Sequence, residues 1–408
     1  MKISILASTF SGNKGAAAML QSLIKNLPDH YEYNLLSVYP DEDVIQNPYQ
    51  NLKIVSAKPE QMIFIAFPLA LIYSLLQWFR PIKIVLLKYP ILRSINESDL
   101  VVDQAGVSFV DSRGFVMNSY NFICMAIPLL LRKKVIKFSQ ALGPFNNYWN
   151  RMLAKTVLPK IMKICARGKI TQEHLNALRL NNFLFCTDGA FIMPDDEIKK
   201  ESIHNMIKDD TFYNKDVVSV SLSSVVDEYC EKNGIQYTAI MSQFINYLIE
   251  EKGYNVLLIA NAARKGKTKK KNNDLPVCQI VYESVNQKEH CRYYDEEFTP
   301  EEIRELIGLS DMIVASRFHA VIGALYKQVP VLLVGWSHKY QEILDLFSLG
   351  RNAIDYKDLS LSTLINEFIR FEQELNDIRF KIKDNLTLVQ QSAMRNIEII
   401  QKELEKVV

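Results

Sequence analysis

The stretch MIVASRFHAVIGALYKQVPVLLVG, Met312 to Gly335, decides the fold of the second half of the chain. A short apolar run is followed by a segment with helical spacing and then by a second apolar run, an order that predicts a β-α-β unit. Arg317 and His319 lie where the first strand meets the helix. The first N–H groups of a helix lack partners and its dipole is positive there, so this junction favours an anion.

An arginine at this position opposes the dipole of its own helix, where a sequence selected for stability alone would carry Asp or Glu. The placement indicates that Arg317 serves function. The unperturbed pKa of histidine is about 6.5, so His319 can donate a proton near neutrality. An ordinary packing role is the alternative for a lone histidine. Phe318 is expected to be a core anchor that turns Arg317 and His319 together toward a cleft.

The segments before this unit extend the same alternation of strand and helix. VVSVSLSS and NVLLIA are predicted strands, and a helix is predicted over Met241 to Glu251. In TPEEIRELIGLS, Thr299 is the predicted N-cap, Pro300 the first helical residue and Glu302 the partner in a capping box. The second half of the chain is therefore predicted to be a complete α/β unit.

The first half begins with the same pattern. Strands are predicted over Lys2 to Ala7, Asn34 to Val38, Leu100 to Asp103 and Val135 to Ser139, and SGNKGAAAML leads from the first strand into a helix. Parallel strands connected by helices bind ligands where strand carboxyl ends meet helix amino ends. The predicted fold class is therefore α/β, with two Rossmann-like domains facing a central cleft.

A chain of 408 residues is too long for one ordinary core. We expect an N-terminal domain over residues 1–193, a linker over the polar and charged segment 194–216, a C-terminal domain over 217–358 and a helical tail over 359–408.

Composition excludes several classes of protein. With 48 Lys and Arg against 46 Asp and Glu, the overall charge does not suggest a nucleic-acid partner. The six cysteines form no C-x-x-C pair, which argues for reduced, mostly buried thiols rather than a zinc ribbon or disulfides. No cluster of His or acidic residues has metal-ligand spacing, so no metal is expected. MKISILASTF lacks a signal-peptide pattern, so the expected location is the cytoplasm.

MIFIAFPLALIYSLLQWF, Met62 to Phe79, carries no charge and lies between Lys58 and Arg80. It is long enough to span a bilayer. A crossing, however, would separate Gly12 to Ala18 from Asp103, although both belong to one predicted sheet. Two interpretations remain: a buried helix, and a monotopic helix that dips into one leaflet with cations at its rim.

Loops after the predicted strands offer polar groups. In the glycine loop, Gly12 and Gly15 allow close backbone approach to a ligand, and Asn13 lies between them, although a purely structural turn is the alternative. Asp103 and Gln140 each follow a strand, and both are predicted to reach a sugar at the same rim. Solvated loops or ordinary turns are the alternatives.

Further cations follow other predicted strands. Arg167 ends one apolar run, and His338 and Lys339 follow the VPVLLVG strand. The lysine run between Ala262 and Asp274 could attract pyrophosphate or anionic lipid, or be simply solvated. Arg167, His338 and Lys339 are expected to join Arg317 in the cleft.

The segments GNKGAAAM, QALGPF, ARGKIT, TDGAFIMP and SRFHAVIGALYKQVPVLLVGWSHK, in this order, resemble the polysaccharide pyruvyl transferase family. The resemblance implies a two-domain fold related to the GT-B architecture. It also implies transfer of the pyruvyl group of phosphoenolpyruvate onto a saccharide, free or lipid-linked, usually as a ketal bridging two hydroxyls. No cofactor beyond this donor is implied.

The arginine-aromatic-histidine element of the family falls on Arg317, Phe318 and His319, and its mid-chain arginine falls on Arg167. The resemblance implies that the two arginines bind the phosphate and carboxylate of phosphoenolpyruvate and that His319 is the general acid. The N-terminal domain would then bind the acceptor and the C-terminal domain the donor. A GT-B glycosyltransferase using a nucleotide sugar, and a non-enzymatic saccharide- or lipid-binding scaffold, remain as alternatives.

Overall fold

The structure of the protein is a computed structural model that describes residues 1–208, 210–264, 266, 273–335 and 338–406, with the side chains of residues 338 and 339 outside the described part.

The chain forms two compact units. Unit 1 comprises Met1–Ser11, Ala16–Met193 and Gln390–Val408, and unit 2 comprises Gly12–Gly15 and Pro194–Val389. The segment 194–216, predicted as a linker, lies in unit 2 except for residue 209, which is outside the described part. The predicted tail 359–408 contributes to both units.

Unit 1 is built on one sheet of parallel strands. Its strands are β1 (Lys2–Leu6), β2 (Glu32–Ser37), β3 (Leu52–Ser56), β4 (Leu100–Asp103), β5 (Val107–Ser108), β6 (Val135–Leu142), β7 (Lys163–Arg167) and β8 (Phe183–Cys186). The strand order is β3-β2-β1-β4-β6-β7-β8, and β5 pairs with β6. The order reverses direction between β1 and β4, where Leu6 is opposite Asp103. This topology is that of a Rossmann-like domain.

Helices cover the sheet of unit 1, so that its strands are almost continuously apolar and buried. The helices are α1 (Lys14–Lys25), α2 (Pro40–Gln46), α3 (Pro59–Gln61), a π-helical turn (Met62–Ala66), α4 (Phe67–Leu76), α5 (Arg80–Leu86), α6 (Pro90–Glu97), α7 (Gly114–Leu130), α8 (Tyr148–Val157) and α9 (Lys169–Ala177).

Unit 2 repeats this architecture. Its strands are β9 (Val217–Leu222), β10 (Asn255–Ala260), β11 (Cys291–Tyr293), β12 (Met312–Ala315), β13 (Val331–Gly335) and β14 (Ala353–Asp355). They are parallel in the order β11-β10-β9-β12-β13-β14. Numbered within the unit, this is the order 3-2-1-4-5-6 of a Rossmann fold.

The helices of unit 2 include two that the sequence predicted in detail. They are α10 (Glu197–Ile207), α11 (Ser224–Lys232), α12 (Tyr237–Glu250), α13 (Leu275–Glu283), α14 (Pro300–Gly308), α15 (Phe318–Tyr326), α16 (His338–Asp345), α17 (Leu361–Gln373) and α18 (Leu375–Glu405), the last of which continues into unit 1. Thr299 Oγ1 accepts a hydrogen bond from the N–H of Glu302 at 3.3 Å, and the N–H of Thr299 donates to Glu302 Oε2 at 2.8 Å. The capping box is therefore confirmed, and α15 matches the β-α-β prediction.

The C-terminal part of α18 contacts the sheet of unit 1 within β6 and just after β8. Asn396 Oδ1 accepts from the N–H of Ser139 in β6 at 3.1 Å, and its Nδ2 donates to the carbonyl of Thr187, just after β8, at 3.2 Å. Lys134 Nζ lies 3.6 Å from Glu403 Oε2. The end of the chain is thus a structural part of its first unit.

The uncharged segment of unit 1 is neither a wholly buried helix nor a wholly exposed one. Met62, Ala66, Ala70 and Tyr73 form a buried face, while most of the other residues are exposed. Among the described residues, Pro59–Leu76 is the one helical stretch that length and composition would allow to cross a membrane, and 22 % of it is buried.

Lys137 is a fully buried cation in β6. Its Nζ lies 2.5 Å from Asp103 Oδ2 and donates to Gln140 Oε1 at 3.0 Å and to Ser108 Oγ at 3.3 Å. Gln140 Nε2 in turn donates to the carbonyl of Asp103 at 2.9 Å. This network joins β4, β5 and β6 at the carboxyl end of the sheet.

Lys137→Ala should lower the free energy of unfolding by about 3–5 kcal/mol, because it leaves Asp103 buried without its ion-pair partner. Urea unfolding followed by circular dichroism measures this loss. Lys134→Ala is the control, three positions before Lys137. It removes a half-exposed ion-pair partner of Glu403 and should lower the free energy of unfolding by less than about 1 kcal/mol. Equal losses in the two variants would contradict the assigned role of Lys137.

Candidate functional site

The carboxyl ends of β9 and β12 meet at the point where the strand order of unit 2 reverses. Ser221 in β9 is opposite Ala315 in β12, and the chain continues from these strands to Ser224 and Arg317. In open parallel sheets, ligands bind in the crevice that forms at such a reversal. The local fold therefore brings Arg317 to the expected binding edge of unit 2.

Arg317 is the N-cap residue of α15, and a buried carboxylate holds its guanidinium. Arg317 Nε donates to Asp274 Oδ2 at 2.9 Å, and Nη2 donates to the other oxygen of Asp274 and to Ser224 Oγ, the latter at 3.1 Å. Asp274 is fully buried and also accepts from the N–H groups of Ser224 at 2.9 Å and Ala262 at 2.8 Å. Arg317 therefore has a fixed orientation.

The electrostatic consequence of this pairing is twofold. Burial disfavours the charged guanidinium, but the charge and hydrogen bonds of Asp274 outweigh it, so the pKa of Arg317 is raised above its ordinary value. Arg317 is therefore charged at any working pH. Since Arg317 and Asp274 together carry no net charge, an anion at this edge needs further positive groups.

His319 is the second residue of α15, one position beyond the buried Phe318. The Phe318 ring makes edge contacts with the rings of Tyr340, at 5.6 Å between centroids, and His319, at 5.3 Å. Phe318 is buried in the core, as predicted, while its turning of Arg317 and His319 toward a cleft stays a prediction. His319 therefore projects from the first turn of a helix whose start is fixed by the core.

The glycine loop lies against His319. Asn13 Oδ1 accepts from the N–H of Gly15 at 2.8 Å, and the carbonyl of Gly12 accepts from Arg264 Nη2 at 3.2 Å. A Cβ atom added to Gly15 would lie 1.9 Å from His319 Nδ1. Any side chain at position 15 would displace the imidazole, so close approach requires the glycine.

In unit 1, Arg167 is the last residue of β7 and is also held by a buried carboxylate. Its Nη1 forms an ion pair with Asp188, and its Nη2 donates to the carbonyl of Gly106 at 3.1 Å. Asp188 is fully buried and caps the turn that follows by accepting from the N–H of Ala190 at 2.9 Å. Arg167 thus belongs to the carboxyl edge of unit 1, as Arg317 does to that of unit 2.

Asp103 and Gln140 also lie at this edge, as their strands dictate, but their side chains face inward. Both are buried and bonded to Lys137. They organise the edge instead of presenting free polar groups to a sugar. The neighbouring residues Ala7 and Ser139 have positive φ angles of 57° and 48°, an unfavourable backbone conformation that is found preferentially at functional sites.

Sequence reasoning missed the carboxylates behind these positions. Asp43, in α2, accepts from the N–H groups of Phe10 at 2.9 Å and Ser11 at 2.8 Å and thereby fixes the chain that enters the glycine loop. Asp274 and Asp188 were not singled out either. Both aspartates come after a buried strand, and this position was the signal that the sequence offered. Nothing in the sequence, however, indicates which arginine each aspartate pairs with.

The remaining predicted positions have side chains that the structure does not describe. His338 and Lys339 begin α16, with side chains outside the described part, and the lysine run after Arg264 lies largely outside it as well. Within the described residues, no group of three or more His, Cys, Asp or Glu side chains could hold a metal ion. All six cysteines are free and buried, as predicted.

Sequence comparisons relate this chain to proteins of polysaccharide synthesis. The family model described as polysaccharide pyruvyl transferase matches residues 13–338. The amylovoran biosynthesis protein AmsJ of Erwinia amylovora is 21 % identical over 389 residues, which cover 90 % of each chain.

Solved structures with the same fold include one of S. aureus MnaA and one of a UDP-GlcNAc 2-epimerase. The structure of S. aureus MnaA with UDP has a TM-score of 0.61 at 12 % identity, covering 99 % of this chain and 97 % of that one. The UDP-GlcNAc 2-epimerase from Neisseria meningitidis, bound to UDP-GlcNAc, has a TM-score of 0.57 at 12 % identity, covering 98 % and 100 %. These neighbours and the two parallel sheets confirm the predicted α/β class, with two Rossmann-like domains of the GT-B-like kind.

The family match covers most of the chain, and the similarity to an amylovoran biosynthesis protein supports a general role as a transferase of polysaccharide biosynthesis. The chain belongs to the polysaccharide pyruvyl transferase family.

Proposed function

We propose that this protein transfers the pyruvyl group of phosphoenolpyruvate onto a saccharide as a ketal, in the synthesis of a cell-surface polysaccharide. The observation that carries the proposal is the start of α15, where Arg317, oriented by Asp274, lies two residues before His319. A fixed guanidinium at the N-cap and an imidazole in the first turn of the same helix suit an anionic substrate that must be protonated.

The donor carries a phosphate and a carboxylate, two groups that planar guanidinium recognises better than ammonium does. Arg317 is the guanidinium proposed for this role in unit 2, and Arg167 is the one proposed in unit 1. Because both are paired with buried carboxylates, additional positive potential must come from the N–H groups at the start of α15 and from Arg264. His338 and Lys339 remain proposed donor ligands.

In the proposed reaction, His319 gives its proton to the methylene carbon of phosphoenolpyruvate, and the neighbouring carbon becomes oxocarbenium-like. A first acceptor hydroxyl attacks this carbon and returns its proton to His319. A second hydroxyl then displaces phosphate, which leaves with the second proton, and the ketal closes. Arg317 stabilises the anionic groups of the donor throughout. The glycine loop positions His319 by leaving room for its ring.

The acceptor is proposed to be a saccharide, free or lipid-linked, and the Asp103 and Gln140 edge of unit 1 would shape its site. A lipid-linked acceptor fits a cytoplasmic protein that contacts the inner face of the membrane through residues 62–79. Beyond the donor, the proposed chemistry needs no cofactor and no metal, and it involves no nucleic acid.

Mass spectrometry of candidate glycans after incubation with the full chain and phosphoenolpyruvate tests the function. We expect the glycan to gain one pyruvyl ketal and free phosphate to be released in equal amount. Parallel incubations with a panel of nucleotide sugars test the glycosyltransferase alternative. Transfer of a sugar from that panel, or binding of glycans with no transfer from any donor, would overturn the proposal.

His319→Ala should reduce kcat by about 100-fold or more, the range expected when a general acid is removed. Gly15→Ala should also reduce kcat, because the new methyl group would displace the imidazole of His319. Steady-state phosphate release measures both. Gly308→Ala provides a matched control, since its backbone is helical and a Cβ there would meet only the flexible side chain of Lys327, at 3.3 Å. Near-normal turnover in His319→Ala would remove this residue from the mechanism.

Arg317→Lys should weaken phosphoenolpyruvate binding by about ten-fold or more, because lysine keeps the charge but loses the bidentate fork. Arg167→Lys should weaken it for the same reason. Lysine is preferable to alanine, which would leave Asp274 or Asp188 buried and unpaired. Isothermal titration calorimetry measures the affinity.

Arg292→Lys is the matched control for both variants. Arg292 also forms a bidentate pair, with Asp210 at 2.9 and 3.0 Å, but it lies on β11 at the far edge of the unit 2 sheet. Unchanged affinity in both Arg317→Lys and Arg167→Lys would contradict the donor assignment.

A further inference from the structure

Two groups of exposed apolar side chains lie on helices of unit 1. The first is the outer face of the uncharged segment, with exposed residues that include Phe64, Leu71, Leu75, Trp78 and Phe79. Trp78 is 82 % exposed. A core helix of this composition would be mostly buried, whereas this face is exposed. The exposed face therefore favours contact with an apolar environment outside the chain.

The second group, named here the aromatic patch, consists of Phe115 and Val116 at the start of α7 and Tyr148, Trp149 and Met152 on α8. Val116 is 81 % exposed, and the rings of Phe115 and Trp149 meet edge to face at 5.9 Å between centroids. The sequence analysis did not single out the aromatic patch. It brings together residues that are separated by the whole of α7 and β6.

The helices that carry the two groups pack directly on one another. α7 packs on α4, where the rings of Phe67 and Phe122 meet at 6.4 Å between centroids, and α8 packs on α7. Both groups therefore belong to one helical layer of unit 1.

Basic residues outnumber acidic ones in this layer, although Asp111 lies at the start of α8 and accepts hydrogen bonds from the N–H groups of Asn146 and Asn147. No Asp or Glu occurs from Gln61 to Asn96, or from Ser112 to Gln172, although acidic and basic residues nearly balance over the whole chain. The first of these segments contains four Lys and Arg, and the second contains eleven, of which Lys137 and Arg167 are buried in ion pairs on strands. Arg80, Arg151 and Lys155 are among those exposed beside the apolar groups.

Exposed aromatic and aliphatic side chains flanked by cations match an anionic bilayer surface. Trp and Tyr favour the interface between headgroups and acyl chains, and Lys and Arg bind anionic headgroups. A second copy of this chain fits less well, because a two-fold interface would bring the same cationic surface against itself.

We infer that the aromatic patch is a second membrane anchor, which together with residues 62–79 attaches unit 1 to an anionic bilayer at two points. This inference extends the membrane contact of the proposed function, yet it does not depend on the reaction. Two anchors bind more firmly than one, since the second engages at a high effective concentration once the first is bound.

Co-sedimentation of the full chain with vesicles tests the inference without any substrate. The protein should bind vesicles of equimolar phosphatidylcholine and phosphatidylglycerol, and bind pure phosphatidylcholine weakly. Phe115→Ser with Trp149→Ser should weaken binding to the anionic vesicles by about ten-fold or more, because two apolar anchors are lost. The matched control, Phe380→Ser with Leu388→Ser, alters exposed apolar residues of α18 and should bind as the unaltered chain does.

A second variant separates charge from apolar contact. Arg151→Gln and Lys155→Gln should each weaken binding to anionic vesicles by about five-fold and leave binding to neutral vesicles unchanged. These exposed positions should tolerate substitution, and thermal melting within a few degrees of the unaltered chain checks the fold.

Three outcomes would overturn the inference: no binding to anionic vesicles at low salt, equal binding by the aromatic-patch variant and its control, or a solution dimer that the aromatic-patch variant dissociates. Pyruvyl transfer to a water-soluble glycan, measured in parallel, distinguishes a failed anchor from a failed catalytic assignment, because only the latter abolishes that transfer.

Discussion

At the carboxyl edges of both sheets, a cation is held by a carboxylate that has no contact with solvent. The pairs are Lys137 with Asp103, Arg167 with Asp188 and Arg317 with Asp274. Removing a charge from water is unfavourable, and a well-packed apolar replacement would often be as stable as a buried ion pair. What the pairs provide is orientation, because neither partner can move without leaving a buried charge uncompensated. The loops that form the edges depend on this constraint.

The sequence predicts the class of fold because the signal for it is local. Apolar runs of strand length alternating with helical periodicity are visible within any short window, as in the β-α-β unit around Arg317 and the capping box at Thr299. The relation of sheet edge to binding loop then follows from parallel topology. For the same reason, the position of Arg317 and His319 at a strand-helix junction could be predicted without a structure.

The partners of the predicted residues could not be found in this way, because the contacts join distant parts of the chain. Asp274 is 43 positions from Arg317, and Lys137 is 34 from Asp103. Asp103 and Gln140 illustrate the error that results: Asp103 ends β4 as predicted, but β6 continues past Gln140 to Leu142, and both side chains serve the interior. A lysine within the apolar run VIKF was the sequence signal for that network, since a buried lysine requires an acidic or polar partner.

Asn396 forms hydrogen bonds with backbone groups of Ser139 and Thr187, so the sheet of unit 1 is completed by a helix that follows the strands of unit 2 in the chain. During synthesis the chain emerges from its amino end, and domains usually fold as they appear. Unit 1 cannot complete its fold until unit 2 has been translated, because the last helical segment of unit 1 follows unit 2 in the chain. Until then, the backbone groups of Ser139 and Thr187 lack Asn396 as a partner. A premature stop codon within α18 would therefore remove contacts of the first unit although all strands of the second had already been made.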